Sequence, residues 1–127
     1  MSGASEPASG RVLNAMTIDV EDYFQVSAFE AVVPRESWDR LESRVVANTE
    51  RLLSIFQEHS VTATFFVLGW VAERAPALVA SIARAGHEIA SHGYAHRLIY
   101  NQSPAEFRED VRRAKGIIEE AGGQRVR

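Results

Sequence analysis

The segment Val61 to Leu68 (VTATFFVL) constrains the fold more than any other. It is β-branched and aromatic and too short for a buried helix. It is also apolar at odd and even positions alike, whereas a strand with one wet face alternates. Such a strand is expected to be covered on both faces, as in a parallel sheet. Parallel neighbours need long crossover connections, usually helical, so the flanking segments should be helices.

The flanks read that way. Val12 to Ile18 (VLNAMTI) is a short apolar run ending at Asp19, a first strand. Val20 to Pro34 mixes acidic and aromatic residues without a period and reads as a long functional loop with one helical turn. From Ser37 to Glu58, Trp38, Leu41, Val45, Leu52 and Phe56 recur at helical spacing, with Ser37 as N-cap. Gly69 ends the second strand. Val71 to Arg84 is a second helix, with Pro76 in its first turn, Leu78, Val79 and Ile82 inward, and Gly86 past its end.

His87 to Ser91 is a third strand. Ser103, Pro104 and Glu106 form a capping box for a last helix, whose stripe is Phe107, Val111, Ala114, Ile118 and Ala121. Gly122 and Gly123 stop it, and Val126 is expected to open another strand. The alternation is that of an α/β domain with a parallel sheet, either open and doubly wound or curling into a barrel.

Composition narrows the function. Fourteen Lys and Arg against seventeen Asp and Glu, net −3, leave no footprint for a nucleic-acid backbone. With no cysteine, the strong metal ligands on offer are His, Asp and Glu. Met1 to Gly10 reads as a flexible tail without the basic start and apolar core of a signal peptide, and no apolar run reaches the ~20 residues of a membrane span. A cytoplasmic location is the expectation from those features. The length of 127 residues suits one core, or part of a larger fold.

Ligands of parallel α/β folds sit at the carboxyl ends of the strands. There the first strand delivers Asp19, Glu21 and Asp22, and the third delivers His92 with His96 shortly after. Two imidazoles and one carboxylate form a set that leaves coordination positions open and suits Zn²⁺, Fe²⁺ or Co²⁺ rather than Mg²⁺ or Ca²⁺. A spare carboxylate beside such an ion is a hydrolase arrangement. Asp19 is the least ordinary of the three, because it follows an apolar strand directly. Trp70 and Tyr94 are candidates for stacking on a sugar ring, while His59 at a helix end and His87 behind the rim are read as structural. No Gly-rich phosphate loop follows the first strand, which disfavours a nucleotide site.

At these residues the chain resembles the polysaccharide deacetylases of carbohydrate esterase family 4, built on the NodB-homology domain. TIDVEDYF (Thr17 to Phe24), TATFFVLGWVAER (Thr62 to Arg74) and GHEIASHGYAH (Gly86 to His96) carry the resemblance, and the first is similar to the subgroup associated with exopolysaccharide and exosortase loci. The resemblance implies a distorted (β/α) barrel, a divalent metal, commonly zinc, and hydrolysis of acetyl groups on a polysaccharide. It implies Asp19 as catalytic base and His92 and His96 as ligands. The carboxylate ligand is Glu21 or Asp22, and the resemblance inclines to Glu21. Gly93 stands where the family has Ser or Thr, at the expected loss of one loop hydrogen bond.

The family's later motifs, including the histidine that acts as general acid, would lie beyond Arg127. Residues 11–127 are therefore expected to be the N-terminal portion of the domain, joined to the remainder of its barrel and very weak alone. Two other functions fit the same residues, a small or cyclic amide hydrolase and a non-catalytic glycan-binding remnant.

Overall fold

The computed structural model describes Gly10 and residues 12–127. Of the expected tail, Met1 to Gly10, residues 1–9 lie outside the described part. Three short strands, β1 (Thr17–Val20), β2 (Thr64–Val67) and β3 (Glu88–Ser91), form a parallel sheet in the order β1-β2-β3. Helix α1 (Val45–Glu58) leads into β2, helices α2 (Gly69–Arg74) and α3 (Pro76–Arg84) lead into β3, and α4 (Pro104–Gly122) follows.

The strand order follows the chain, as in the wall of a barrel. A doubly wound sheet reverses direction at a switch point, and no reversal falls among these three strands. Register shows one buried face: Val20 lies beside Val67 and Phe65 beside Ile89, all four essentially inaccessible. They meet Val45, Phe56, Val71, Val79, Ile82, Ala114 and Ile118 of the helices in one core. The chain forms part of a (β/α) barrel.

The opposite face corrects the expectation for the second strand. Thr64 and Phe66 are half-buried, and Asp19 beside Phe66 is exposed, so among the described residues β2 is fully covered on one face only. The apolar side chains at both parities express β-propensity and one helix-covered face. The observed strands are also shorter than expected, and the first is shifted: Val12 and Leu13 are exposed and β1 runs on through Asp19 to Val20.

The expected helix over Ser37–Glu58 is broken. Arg35–Arg40 forms a 3-10 helix, Ser37 Oγ donates to the Pro34 carbonyl at 2.7 Å instead of capping, and α1 begins at Val45. Trp38 causes the break, because it is buried against Phe24 and Trp70, with ring centroids 6.0 and 5.5 Å away. The second expected helix also divides, with Pro76 at the start of α3, where a missing N–H costs nothing.

The capping box of α4 is present in full. Glu106 N donates to Ser103 Oγ, Ser103 N donates to Glu106 Oε2, and Gly123 closes the helix at φ 65°. Gly69, at the β2–α2 junction, has no room for a side chain: a Cβ would come within 2.8 Å of the Tyr94 ring and 3.1 Å of the Ala114 backbone. Val126 is buried, but the structure assigns it to no strand. No helix among the described residues is long and apolar enough to cross a membrane.

His87 supports the sheet from behind. Its ring packs on Phe65, and Nδ1 accepts the Ala63 N–H at 3.2 Å. Burial lowers its pKa below the ordinary 6.5, so the unfolded chain takes up a proton that the folded chain resists. That contribution is intact above pH 6.5 and is lost as pH falls through the lowered value. Urea unfolding should therefore show a stability decline on acidification below about 6.5 that is shallower in His87→Asn, which keeps an acceptor opposite Ala63. Equal slopes in the two proteins would show that His87 is not responsible.

Candidate metal centre

Side chains two apart on a strand share a side, and β1 carries that alternation past its last residue. Val20 and Asp22 turn into the protein, at 0% and 2% exposure, while Asp19 and Glu21 turn to the rim. The adjacent carboxylates Glu21 and Asp22 consequently do different work.

Asp22 is taken up by structure. Its Oδ2 accepts the Ser43 hydroxyl at 2.6 Å, and its Oδ1 accepts the Arg44 N–H at 2.8 Å, immediately before α1. Arg44 has no side-chain cap, so a carboxylate from a distant loop completes that helix end, where negative charge is favoured. Asp22 does not join the histidines.

Glu21 does. Its Oε2 lies 3.4 Å from His92 Nε2 and 3.2 Å from His96 Nε2, and one ligand atom from each residue falls within 4.8 Å of the others. Glu21 Oε2 and His92 Nε2 are buried without a hydrogen-bond partner, as is His96 Nδ1. Ligand atoms about 2.1 Å from a tetrahedral ion stand about 3.4 Å apart, which is the spacing of Glu21 Oε2 from each imidazole. Two imidazoles and a carboxylate are the matching donor chemistry. Asp19 stands beside this group, Oδ2 3.9 Å from His92 Nε2, with its side chain 56% exposed.

The loop that carries both histidines is held along its length. His92 N donates to the Val67 carbonyl, and the first N–H groups of α2, those of Gly69 and Trp70, donate to the carbonyls of Gly93 and Tyr94 at 2.8 and 2.9 Å. Asp110 Oδ2 on α4 accepts the Tyr94 N–H. Gly93, at φ 74°, adopts a backbone that Ser or Thr would reach only with strain, and its N–H donates to Ser91 Oγ at 3.2 Å.

Trp70 and Tyr94, the candidates for stacking on a sugar, are half-buried, and each ring has a guanidinium against it. The Arg74 guanidinium lies 3.8 Å from the Trp70 centroid, and Trp38 and Phe24 meet the same ring nearly perpendicular. Arg113 lies 3.6 Å from the Tyr94 centroid, and Tyr94 donates to Glu73 at 2.6 Å. Burial, reinforced by that bond, raises the Tyr94 phenol above its ordinary range.

An aromatic missed in the sequence lies elsewhere. An open cleft of about 560 Å³ runs from His92 and His96 past Leu98, Ile99 and Phe107, and Tyr100 on its wall is 81% exposed. The only local signal is the Leu98-Ile99-Tyr100 run, one residue beyond the second histidine.

The geometry coincides with a family match. Residues 37–127 match the model of the polysaccharide deacetylases. The chain belongs to this family.

Among curated deacetylases, it is 35% identical over 75 residues to a peptidoglycan-N-acetylglucosamine deacetylase of Bacillus cereus, covering 59% of this chain and 27% of that protein. It is 34% identical over 73 residues to a chitooligosaccharide deacetylase of Bradyrhizobium, covering 58% and 33%. The chain thus spans a third or less of these deacetylases. A solved CE4 family pseudoenzyme from Bacillus anthracis superposes with a TM-score of 0.65 at 26% identity, over 89% of this chain and 32% of that one. A deacetylase fold can therefore lack activity, and side-chain geometry has to carry the functional argument.

The two neighbouring carboxylates should separate by stability. Asp22→Ala strands the Ser43 and Arg44 donors and should cost about 1–3 kcal/mol in urea unfolding of metal-free protein. Glu21→Ala removes a carboxylate without a hydrogen-bond partner and should cost less than about 0.5 kcal/mol or stabilise. Equal losses would contradict the division of labour.

Proposed function

We propose that this chain carries the metal site and the base of a hydrolase that removes N-acetyl groups from a polysaccharide. The convergence of Glu21, His92 and His96, with Asp19 beside them, carries the reading. Glu21, His92 and His96 would hold a divalent ion, zinc by its fit to this donor set. Such an ion supplies a lowered pKa for water and polarisation of the acetyl carbonyl.

Asp19 takes the proton of the attacking water. Its carboxylate is exposed enough to reach substrate and close enough to His92 to act at the same carbonyl. His92 and His96 would offer ring-nitrogen lone pairs to the ion, and the buried Glu21 oxygen would offset its positive charge. Protonation of the leaving amine falls to a residue outside this set, and catalysis by these 127 residues alone is expected to be weak.

The open cleft beside the histidines favours a chain-like substrate over a small or cyclic amide, which would call for an enclosed pocket. Exposed Tyr100 offers a ring face for a sugar. Together with the relatives' activities and the resemblance to an exopolysaccharide-associated subgroup, these features make an acetylated glycan the substrate class. A non-catalytic remnant would have no need of unpartnered ligand atoms at coordination spacing.

Calorimetric titration with zinc should give about one equivalent bound, lost in His92→Ala and in Glu21→Ala. Asp19→Asn should retain zinc and lose whatever acetate release from an N-acetylglucosamine oligomer the parent chain shows, by 100-fold or about that. A parent chain that takes up no zinc, or a Glu21→Ala chain that binds as tightly as the parent, would sink the reading.

A further inference from the structure

His96 has a backbone that L-residues avoid, with φ at 53°. The left-handed region is sterically unfavourable for a residue with a side chain, and His tolerates it better than most. Such a conformation persists where its surroundings over-determine it. What holds it is Arg35, 61 residues away in sequence.

Arg35 Nε donates to the Ala95 carbonyl at 2.9 Å, and its Nη2 reaches the His96 carbonyl at 3.3 Å. These two carbonyls belong to the peptide groups on either side of the His96 Cα. The orientation of the first is set by φ of His96 and that of the second by ψ, so one planar guanidinium restrains both dihedral angles. Four consecutive loop carbonyls are then satisfied, Gly93 and Tyr94 by the start of α2, Ala95 and His96 by Arg35.

The arginine is itself oriented. Glu30 Oε1 accepts from Nη1 at 2.8 Å, and the guanidinium lies 5.8 Å from the ring centroid of buried Trp38. Arg35 precedes the span that matches the deacetylase family, residues 37–127. We propose that Arg35 is a positioning residue for His96, holding this ligand's backbone in the left-handed conformation that turns its imidazole toward Glu21 and His92. The proposal rests on the metal reading above. Lysine would not substitute, because a single ammonium lacks the fixed fork that spans two carbonyls.

The test follows the four imidazoles by NMR during zinc titration of the parent chain, Arg35→Ala and Arg35→Lys, with His59 and His87 as internal references. In the parent, His92 and His96 should shift together. In Arg35→Ala, zinc affinity should fall about tenfold, the His96 response should weaken or vanish, and His92 should still respond. Arg35→Lys should fall between, and it provides the same reading should the alanine variant fail to fold.

Hydrogen exchange of the metal-free proteins gives a second readout: amides of residues 93–98 should exchange faster in both variants, with α1 and α4 unchanged. Parent-like responses at both histidines, or equal weakening at both, overturn the positioning role and leave the metal centre standing. A parent chain whose imidazoles ignore zinc overturns the metal centre and the positioning role with it.

Discussion

Everything at this site depends on the two-residue alternation of β1 and on its continuing one step beyond the strand. Asp19 and Glu21 share the open side, Val20 and Asp22 the buried one. A one-residue slip would exchange the two sets, placing a helix-capping carboxylate at the rim and a metal-facing one in the core. Val20 beside Val67 opposes that slip, since both are fully buried in the layer that the helices cover. Core packing thus determines which of three neighbouring acids meets the histidines.

Much of this was legible in the residues. Short β-branched runs, Pro76, and the Ser103 to Glu106 box each act over a few positions, and the structure shows the corresponding elements. The segment Ser37–Glu58 was misread because its interruption is not local: Trp38 is drawn into an aromatic cluster with Phe24 and Trp70, and the start of α1 is completed by Asp22. Helical spacing reports which residues could share a face, not whether a buried indole bends the chain away.

The site shows the same division. Rim position and donor type pointed to Asp19, Glu21, His92 and His96, and parity along β1 could have separated Glu21 from Asp22 without any coordinates. Trp70 and Tyr94 could not have been placed that way, because the guanidinium groups of Arg74 and Arg113 that lie against them come from helix faces set by the tertiary fold. Arg35 gave no signal at all. Its partners are main-chain carbonyls, which every residue has, and no pattern of side chains records them.

The three converging side chains come from the ends of β1 and β3, which are not neighbours in the sheet; β2 runs between them. An ion bound there would tie together two parts of the chain that the hydrogen-bond ladder joins only indirectly, closing a loop from Glu21 to His92 that contains all of α1, β2, α2 and α3. In polymer terms it is a removable cross-link, and it would restrict the unfolded ensemble whenever the ligands stay bound to it, much as a disulfide does in chains that have cysteine. This chain has none, so an ion bound between Glu21, His92 and His96 would supply a tie that can be made and unmade.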